Sequence, residues 1–286
     1  MTLDDIDFLI IGATKSATTW LQKSLQTDPR IAMPEPEVHY FSREFDRGDD
    51  WYLAQFPAEA ANLVAGEKSN SYLESADAAI RIARKLPKVK LLAQLRNPVE
   101  RAYSDYCMMY RRGEIGRDVA SYLDPGKPQN TRLISAGLYH HQLQAFYDRF
   151  PSDRILVTLF DTMTVRPAEH LIAVRDFLGL AGGEQAPFVR TKVKDKTTPM
   201  LGPRLRRTLR PMKPVVARFR DTASFRMIHA LLRRETNYPP LPKGVHRKLV
   251  DYYAGDVEAL GRMIGKDLSA WLGDDQAWLL RGAHSA

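Results

Sequence analysis

Residues Asp7 to Leu21 read DFLIIGATKSATTWL, and the rest of the chain is arranged around them. Phe8-Leu9-Ile10-Ile11 has the length and branching of a strand buried on both faces, and Gly12 breaks it. Beyond the break, Ala17, Trp20, Leu21 and Leu25 recur at helical spacing, so the stretch predicts strand, tight loop and helix. In such a unit the loop N–H groups and the helix N-terminus converge on one point, where the helix dipole favours an anion. Lys15 adds a mobile positive charge, and Thr18 and Thr19 add hydroxyl donors. The loop is suited to a phosphate or a sulfate; the bland alternative is a basic residue in an ordinary strand-to-helix turn.

What the loop lacks narrows the choice. A Walker A loop needs G-x-x-x-x-G-K-[ST], with the lysine at the helix start and the next hydroxyl on a metal ion. Here the lysine comes three residues after Gly12 and is followed by Ser16-Ala17-Thr18-Thr19, so no such segment exists. An apolar run from Arg154 to Phe160 reads as a strand ending at Asp161, the look of a Walker B element. A phosphotransferase or nucleotide hydrolase of the P-loop type therefore stays in view, without its Walker A partner.

Working outward, Glu37-Val38-His39-Tyr40-Phe41 alternates if extended, which puts Glu37 and His39 on one side and Val38 and Tyr40 on the other. Gly66-Glu67-Lys68-Ser69 follows an aromatic cluster of Trp51, Tyr52 and Phe56 that reads as core. Structurally, Lys68 there is a surface lysine in a turn. Ser75 caps a helix stopped by Pro87, and Lys88 to Leu95 is a second strand that runs into Arg96. Asn97 as N-cap with Pro98 behind it starts a helix that stops at Arg112-Gly113 and carries Ser104 on the face of Asn97 and Arg101. Gly113 to Thr131 reads as a polar loop, Pro167 to Leu178 as a helix closed by Gly179, and Val245 to Ile264 as a closing helix. The pair His140-His141 has no carboxylate at ligand spacing, which argues against a metal site.

The chain has 286 residues, with 42 Lys and Arg against 34 Asp and Glu, for a formal charge of +8. The length suits one domain over 1–286, and the charge implies anionic partners. Ten basic residues against the single acid Asp221 lie between Gly202 and Arg234, so this segment carries the whole excess. It is a solvated face or a docking surface for an anionic acceptor or a membrane surface. One cysteine, Cys107, permits no intrachain disulfide. The acidic start without a basic leader, and the lack of a long apolar run, give the expectation of a cytoplasmic protein without a transmembrane segment.

Four of these segments together resemble sulfotransferases of the heparan-sulfate type, which use 3′-phosphoadenosine 5′-phosphosulfate (PAPS) and release adenosine 3′,5′-bisphosphate (PAP). The first loop, Gly12-Ala13-Thr14-Lys15-Ser16-Ala17-Thr18-Thr19, resembles the family's 5′-phosphosulfate loop G-x-x-K-x-G-T-T-x-L. It departs at Ala17, where the family more often has Gly, and an alanine there is strained if φ is positive. PEVHYFS is similar to K-E-x-H-[FY]-F, with Pro36 in place of the usual lysine. EKSNSY is similar to E-K-[ST]-x-x-Y, and LRNPVERAYSDY to the 3′-phosphate segment L-R-[ND]-P-x-x-R-x-x-S-x-Y.

The resemblance implies Glu37 as catalytic base with His39 assisting, Lys15 and Lys68 on either side of the sulfuryl group, and Arg96 and Ser104 on the 3′-phosphate. Lys192, Lys194 and Lys196 fall where the family has a basic loop over the cofactor, though the match there is loose. The implied fold is α/β, a central parallel sheet flanked by helices with a P-loop-like nucleotide site. The implied reaction moves a sulfuryl group to a hydroxyl or amine, a carbohydrate or glycoconjugate first, with no metal and no nucleic acid. A binder of nucleic acid or acidic glycan without catalysis is the reading that the basic segment alone would support.

Overall fold

The computed structural model describes residues 1–126, 131–180, 189 and 237–273, together with the backbone of Met200–Leu201 and Arg233–Arg234. The quoted stretch folds as read: strand β1 is Ile6–Gly12 and helix α1 is Thr18–Leu25. β1 is the middle of a five-stranded parallel sheet. Its neighbours are β2 (Ile31–Ala32) and β3 (Val64–Lys68) on one side, and β4 (Lys90–Leu95) and β5 (Ile155–Leu159) on the other, in the order β2-β3-β1-β4-β5. Ile10 stands opposite Lys68 on β3 and Leu92 on β4, and Leu95 stands opposite Leu159.

The two-residue side-chain period of the strands divides the core between the two faces of the sheet. Leu9 and Ile11 of β1, with Leu91, Ala93 and Leu95 of β4, join one cluster; Phe8, Ile10 and Leu92 join the other. The second cluster is closed by α1 and by α9 (Pro167–Leu178), through Leu21, Leu25, Leu171 and Val174. The first is covered by α3 (Ala76–Lys85), α4 (Pro98–Arg111), α7 (Tyr139–Tyr147) and the long helix α10 (Lys243–Ile264), with Ile82, Val99, Tyr139, Leu143 and Tyr253 buried between them. Among the described residues no helix is long and apolar enough to cross a membrane.

Local signals set several ends as expected. Ser75 accepts from the Ala78 N–H, and Asn97 accepts from Val99 and Glu100 with Pro98 behind it. Gly113 and Gly179 take positive φ, 71° and 84°, just past their helices. Other segments depart from the sequence reading. Two strands, β2 and β3, carry no long apolar run: β3 reads VAGEK, and a β-carbon on Gly66 would collide with the Phe8 ring. Within the polar stretch after Gly113 lies α5 (Val119–Leu123), with Val119 and Leu123 buried, and α6 (Thr131–Ser135) begins at its end. The run 154–160 leaves the sheet one residue early, because Phe160 already starts α8 (Phe160–Val165).

The chain leaves β1 toward β2 and leaves β4 toward β5, in opposite directions along the sheet. Between the carboxyl ends of these adjacent strands lies a topological switch point, where open parallel sheets bind ligands. The loop 13–17 and Arg96 sit at those two ends.

Candidate active site

The loop after β1 is held from below. The Ala13 N–H donates to the Gln94 carbonyl at 2.9 Å, and the Gln94 amide donates to the Ser16 carbonyl. Gln94 in turn takes the Nε2 proton of His170 at 2.9 Å. Burial pushes the His170 imidazole down to about 4, so it stays neutral and its proton is committed to this bond. Lys15 and Ala17 both lie in the left-handed region, φ 68° and 60°. Ala17 is the N-cap of α1, so the strain foreseen for an alanine at this position is present. Such a conformation costs a residue bearing Cβ about 1–2 kcal/mol. Ala17→Gly should therefore stabilise the fold by up to about 1 kcal/mol, after the greater unfolded-chain entropy of glycine is deducted. Denaturant unfolding is the check, and a less stable variant would contradict it.

At the head of α1 the first N–H groups have no helical partner of their own. The two threonines there are tied to the strand alongside. Thr18 donates to the Asn70 side-chain carbonyl at 2.7 Å, and Lys68 Nζ stands 3.4 Å from the Thr19 hydroxyl. Thr14 donates to Glu74 at 2.9 Å, and Lys15 Nζ lies 3.5 Å from Met108 Sδ.

Glu37 is the meeting point of the second group. Its Oε1 accepts from Lys68 Nζ at 2.6 Å and from the Asn70 amide at 3.2 Å, and its Oε2 lies 3.5 Å from His39 Nε2. The Lys68 side chain is 3% exposed and that of Glu37 25% exposed, so the lysine is inside and the carboxylate faces an opening. Lys68 is thus a buried strand residue and not the surface lysine of a turn. Glu37 and His39 do share one side, with Val38 and Tyr40 buried on the other. They reach it without forming a strand, because His39 turns the chain at φ 55°. Burial lowers the His39 pKa while the Glu37 charge raises it, and the net direction is down. Its other ring nitrogen, Nδ1, pairs with the Ser71 hydroxyl at 2.7 Å.

A third group stands across the switch point. Arg96 places Nε and Nη2 on one oxygen of Glu100, at 3.0 and 2.7 Å, and its guanidinium lies 4.5 Å from the centre of the Phe160 ring. Ser104, two turns into α4, is buried. Arg101 on the same face is wholly buried, pairs with Asp105 and donates to the Leu133 carbonyl, so it serves the core and not the opening. Asp161 accepts from the Trp271 indole at 2.9 Å, a structural partner far from the role of a metal-holding Walker B acid. The N–H groups of His140 and His141 donate to Asp256 at 3.0 and 3.2 Å, which makes the histidine pair a helix start anchored on α10. Lys192, Lys194, Lys196 and the basic segment 202–234, save the backbone of Arg233–Arg234, lie outside the described residues. Among the described residues no three His, Cys, Asp or Glu side chains gather as metal ligands.

The structure brings Thr18, Thr19, Glu37, His39 and Lys68 together, sets the Lys15 ammonium against Met108 of α4, and adds residues that the sequence reading did not single out. Asn70 ties Glu37 to α1; Gln94 and His170 hold the loop; Glu67 and Ser71 lie beneath His39. The one advance signal was polarity inside otherwise apolar strands, as for Gln94 in LLAQL.

A parallel sheet with a strand–loop–helix unit at its switch point defines an α/β protein of P-loop-like fold. Residues 5–196 match the family described as "Sulfotransferase domain", and the chain belongs to that family. It is similar to the mouse heparan sulfate glucosamine 3-O-sulfotransferase 6, 31% identical over 176 residues, which are 60% of this chain and 52% of the relative. It is also similar to the human bifunctional heparan sulfate N-deacetylase/N-sulfotransferase 2, 30% identical over 193 residues, 60% of this chain and 22% of the relative. The chain thus spans about half the length of the 3-O-sulfotransferase it matches. The crystal structure of a sulfotransferase from Alicyclobacillus acidocaldarius shares the fold, with a TM-score of 0.67, 23% identity and coverage of 93% of this chain and 98% of that one.

Proposed function

We propose that the chain moves a sulfuryl group from PAPS to a hydroxyl or amine of a carbohydrate acceptor, with Glu37 as the general base. The observation that carries this reading is Lys68, whose ammonium touches both Glu37 and Thr19 and so sets a carboxylate beside the anion loop. The donor set suits the nucleotide: Lys15, the threonine hydroxyls and the head of α1 toward the 5′-phosphosulfate, and Arg96 with Ser104 toward the 3′-phosphate. When bound, PAPS supplies an activated sulfuryl group and a bisphosphate leaving group.

The chain's own residues do the rest. Glu37 takes the acceptor's proton as its oxygen or nitrogen attacks sulfur, and the acceptor enters from the side on which Glu37 is open. Lys15 and Lys68 offset the negative charge that develops on the departing bridging oxygen. His39, with Nε2 at 3.5 Å, keeps the second carboxylate oxygen in place. Arg96 exchanges Glu100 for the 3′-phosphate. The carbohydrate assignment rests on the named substrates of the relatives, which are heparan sulfate enzymes.

Calorimetry tests the donor. PAP should bind without added metal, and about tenfold to a hundredfold more tightly than AMP, because AMP lacks the 3′-phosphate that Arg96 takes in exchange for Glu100 and that adds a charge-assisted bond from Ser104. Equal affinities, or binding of ATP with magnesium in preference to PAP, would overturn the reading. Transfer of labelled sulfuryl from PAPS to a panel of glucosamine-containing oligosaccharides then tests the acceptor class.

A further inference from the structure

Beneath the loop that carries Glu37 lies a carboxylate with no part in the reaction described above. Glu67, the neighbour of Lys68 on β3, is wholly buried. Its two oxygens each accept one hydroxyl: Ser69 Oγ donates to Oε2 at 2.8 Å, and the Tyr72 hydroxyl donates to Oε1 at 2.5 Å. Each of those hydroxyls in turn accepts a main-chain N–H of the base loop, Ser69 from His39 at 2.7 Å and Tyr72 from Phe41 at 3.3 Å. Two relays therefore run from one carboxylate to two backbone groups, and the two groups bracket the turn at His39, whose φ is 55°.

From this geometry we infer that ionised Glu67 is the positioning residue of the base loop: it fixes the direction of both hydroxyls, and through them seats Glu37 and His39. The inference rests on the proposed role of Glu37. The chemistry is one of donor and acceptor parity. A hydroxyl has a single proton and two lone pairs, and while Glu67 takes the proton the oxygen is oriented with a lone pair toward the loop N–H. A protonated Glu67 must donate to one hydroxyl. That hydroxyl then loses the acceptor that fixed its direction and has its own proton to place elsewhere, so its bond to the loop N–H is no longer held in position. A glutamine at 67 has the same defect at every pH, because its amide nitrogen can only donate.

The surroundings make this protonation reachable. Burial raises the Glu67 pKa to about 7, with the Glu37 charge pushing in the same direction, while the hydroxyls of Tyr72 and Ser69 and the Lys68 ammonium pull it down. Tyr52 on α2 (Asp49–Leu53) also faces it, its own hydroxyl buried and its ionisation pushed far up. The loop seat is thus anchored by both relays above about pH 7 and by one below it.

The test is Glu67→Gln, read in two independent ways. Amide exchange at His39 and Phe41 should quicken by roughly tenfold or more at one or both sites relative to the amides of β1, the equivalent of one hydrogen bond. In wild type the same loss of protection should set in as pH falls below about 7, after correction for intrinsic rates. Separately, kcat of the variant should drop by about tenfold to a hundredfold, the scale of a misplaced catalytic group, with PAP affinity unchanged and with no acid limb near pH 7.

Wild-type protection at both amides, or a lowered kcat that keeps the wild-type pH profile, would overturn the inference. Should Glu67→Gln fail to fold, Tyr72→Phe keeps the ring and removes one relay. It should free the Phe41 amide alone, and an unaltered Phe41 amide would overturn the inference equally. The exchange measurement needs no turnover, so it stands even if wild type sulfates none of the acceptors tried, a result that would count against the proposed function only.

Discussion

Glu37→Gln should lower kcat by about 10² to 10⁴ and leave PAP affinity as in wild type, the signature of a lost proton acceptor. Glutamine fills the same volume, and its carbonyl can still accept from Lys68 Nζ and the Asn70 amide, the contacts that Glu37 Oε1 makes at 2.6 and 3.2 Å. What it cannot do is take a proton from an acceptor arriving at the exposed side of the carboxyl. Steady-state rates at saturating donor, with calorimetry on the same preparation, separate the two quantities. A variant that loses nucleotide binding while keeping turnover at saturation would make Glu37 a structural partner of Lys68 and nothing more.

Lys68→Met should lower kcat by about 10² to 10³, the usual result of removing one preorganised donor from a developing oxyanion. Unlike the change at Glu37, it should also cost stability. The lysine side chain is 3% exposed, and its loss leaves Glu37 and the Thr19 hydroxyl without their shared partner. Breaking a fully buried pair costs about 3–5 kcal/mol, but Glu37 is a quarter open to water, so about 1–2 kcal/mol is expected here. The two changes touch one contact, so the double variant should lose less in kcat than the product of the single losses. Full multiplicativity would show that the lysine and the carboxylate act independently.

The central unit was legible because its signals are local. Four apolar residues, a glycine, then a helical period identify β1, the loop and α1 without any distant contact, and Asn97-Pro98 does the same for α4. β2 and β3 were not legible. Two residues make no pattern, and VAGEK carries a glycine and two charges that only the interior explains: Gly66 makes room for Phe8, Lys68 meets Glu37, and Glu67 meets two hydroxyls.

Glu37 and His39 were placed on a common side by an argument from strand alternation, yet the backbone there is a turn, and the pairing comes from the positive φ of His39. The Gln94 and His170 pair joins residues 76 apart in the chain, which no periodicity reveals. For Lys15 and Arg96 motif spacing foretold places just past strand ends, and for Ser104 a place two turns into α4, whereas the present partners of the two cations, Met108 and Glu100, could be seen only in three dimensions.

The carboxylate under the loop has a thermodynamic consequence for the whole fold. With a folded pKa of about 7 against an ordinary 4.5, Glu67 keeps in the native state a proton that the unfolded chain has already released. Its contribution to stability is therefore full below about pH 4.5 and is lost as pH rises to about 7, a span worth on the order of 3 kcal/mol by linkage. Ordering of the base loop runs the opposite way over the same interval. At pH 8 Glu67 holds the reactive geometry and gives up its own contribution to the fold; at pH 5 it returns that contribution with the loop less firmly seated, while buried His170, neutral in the fold, opposes it over the same range.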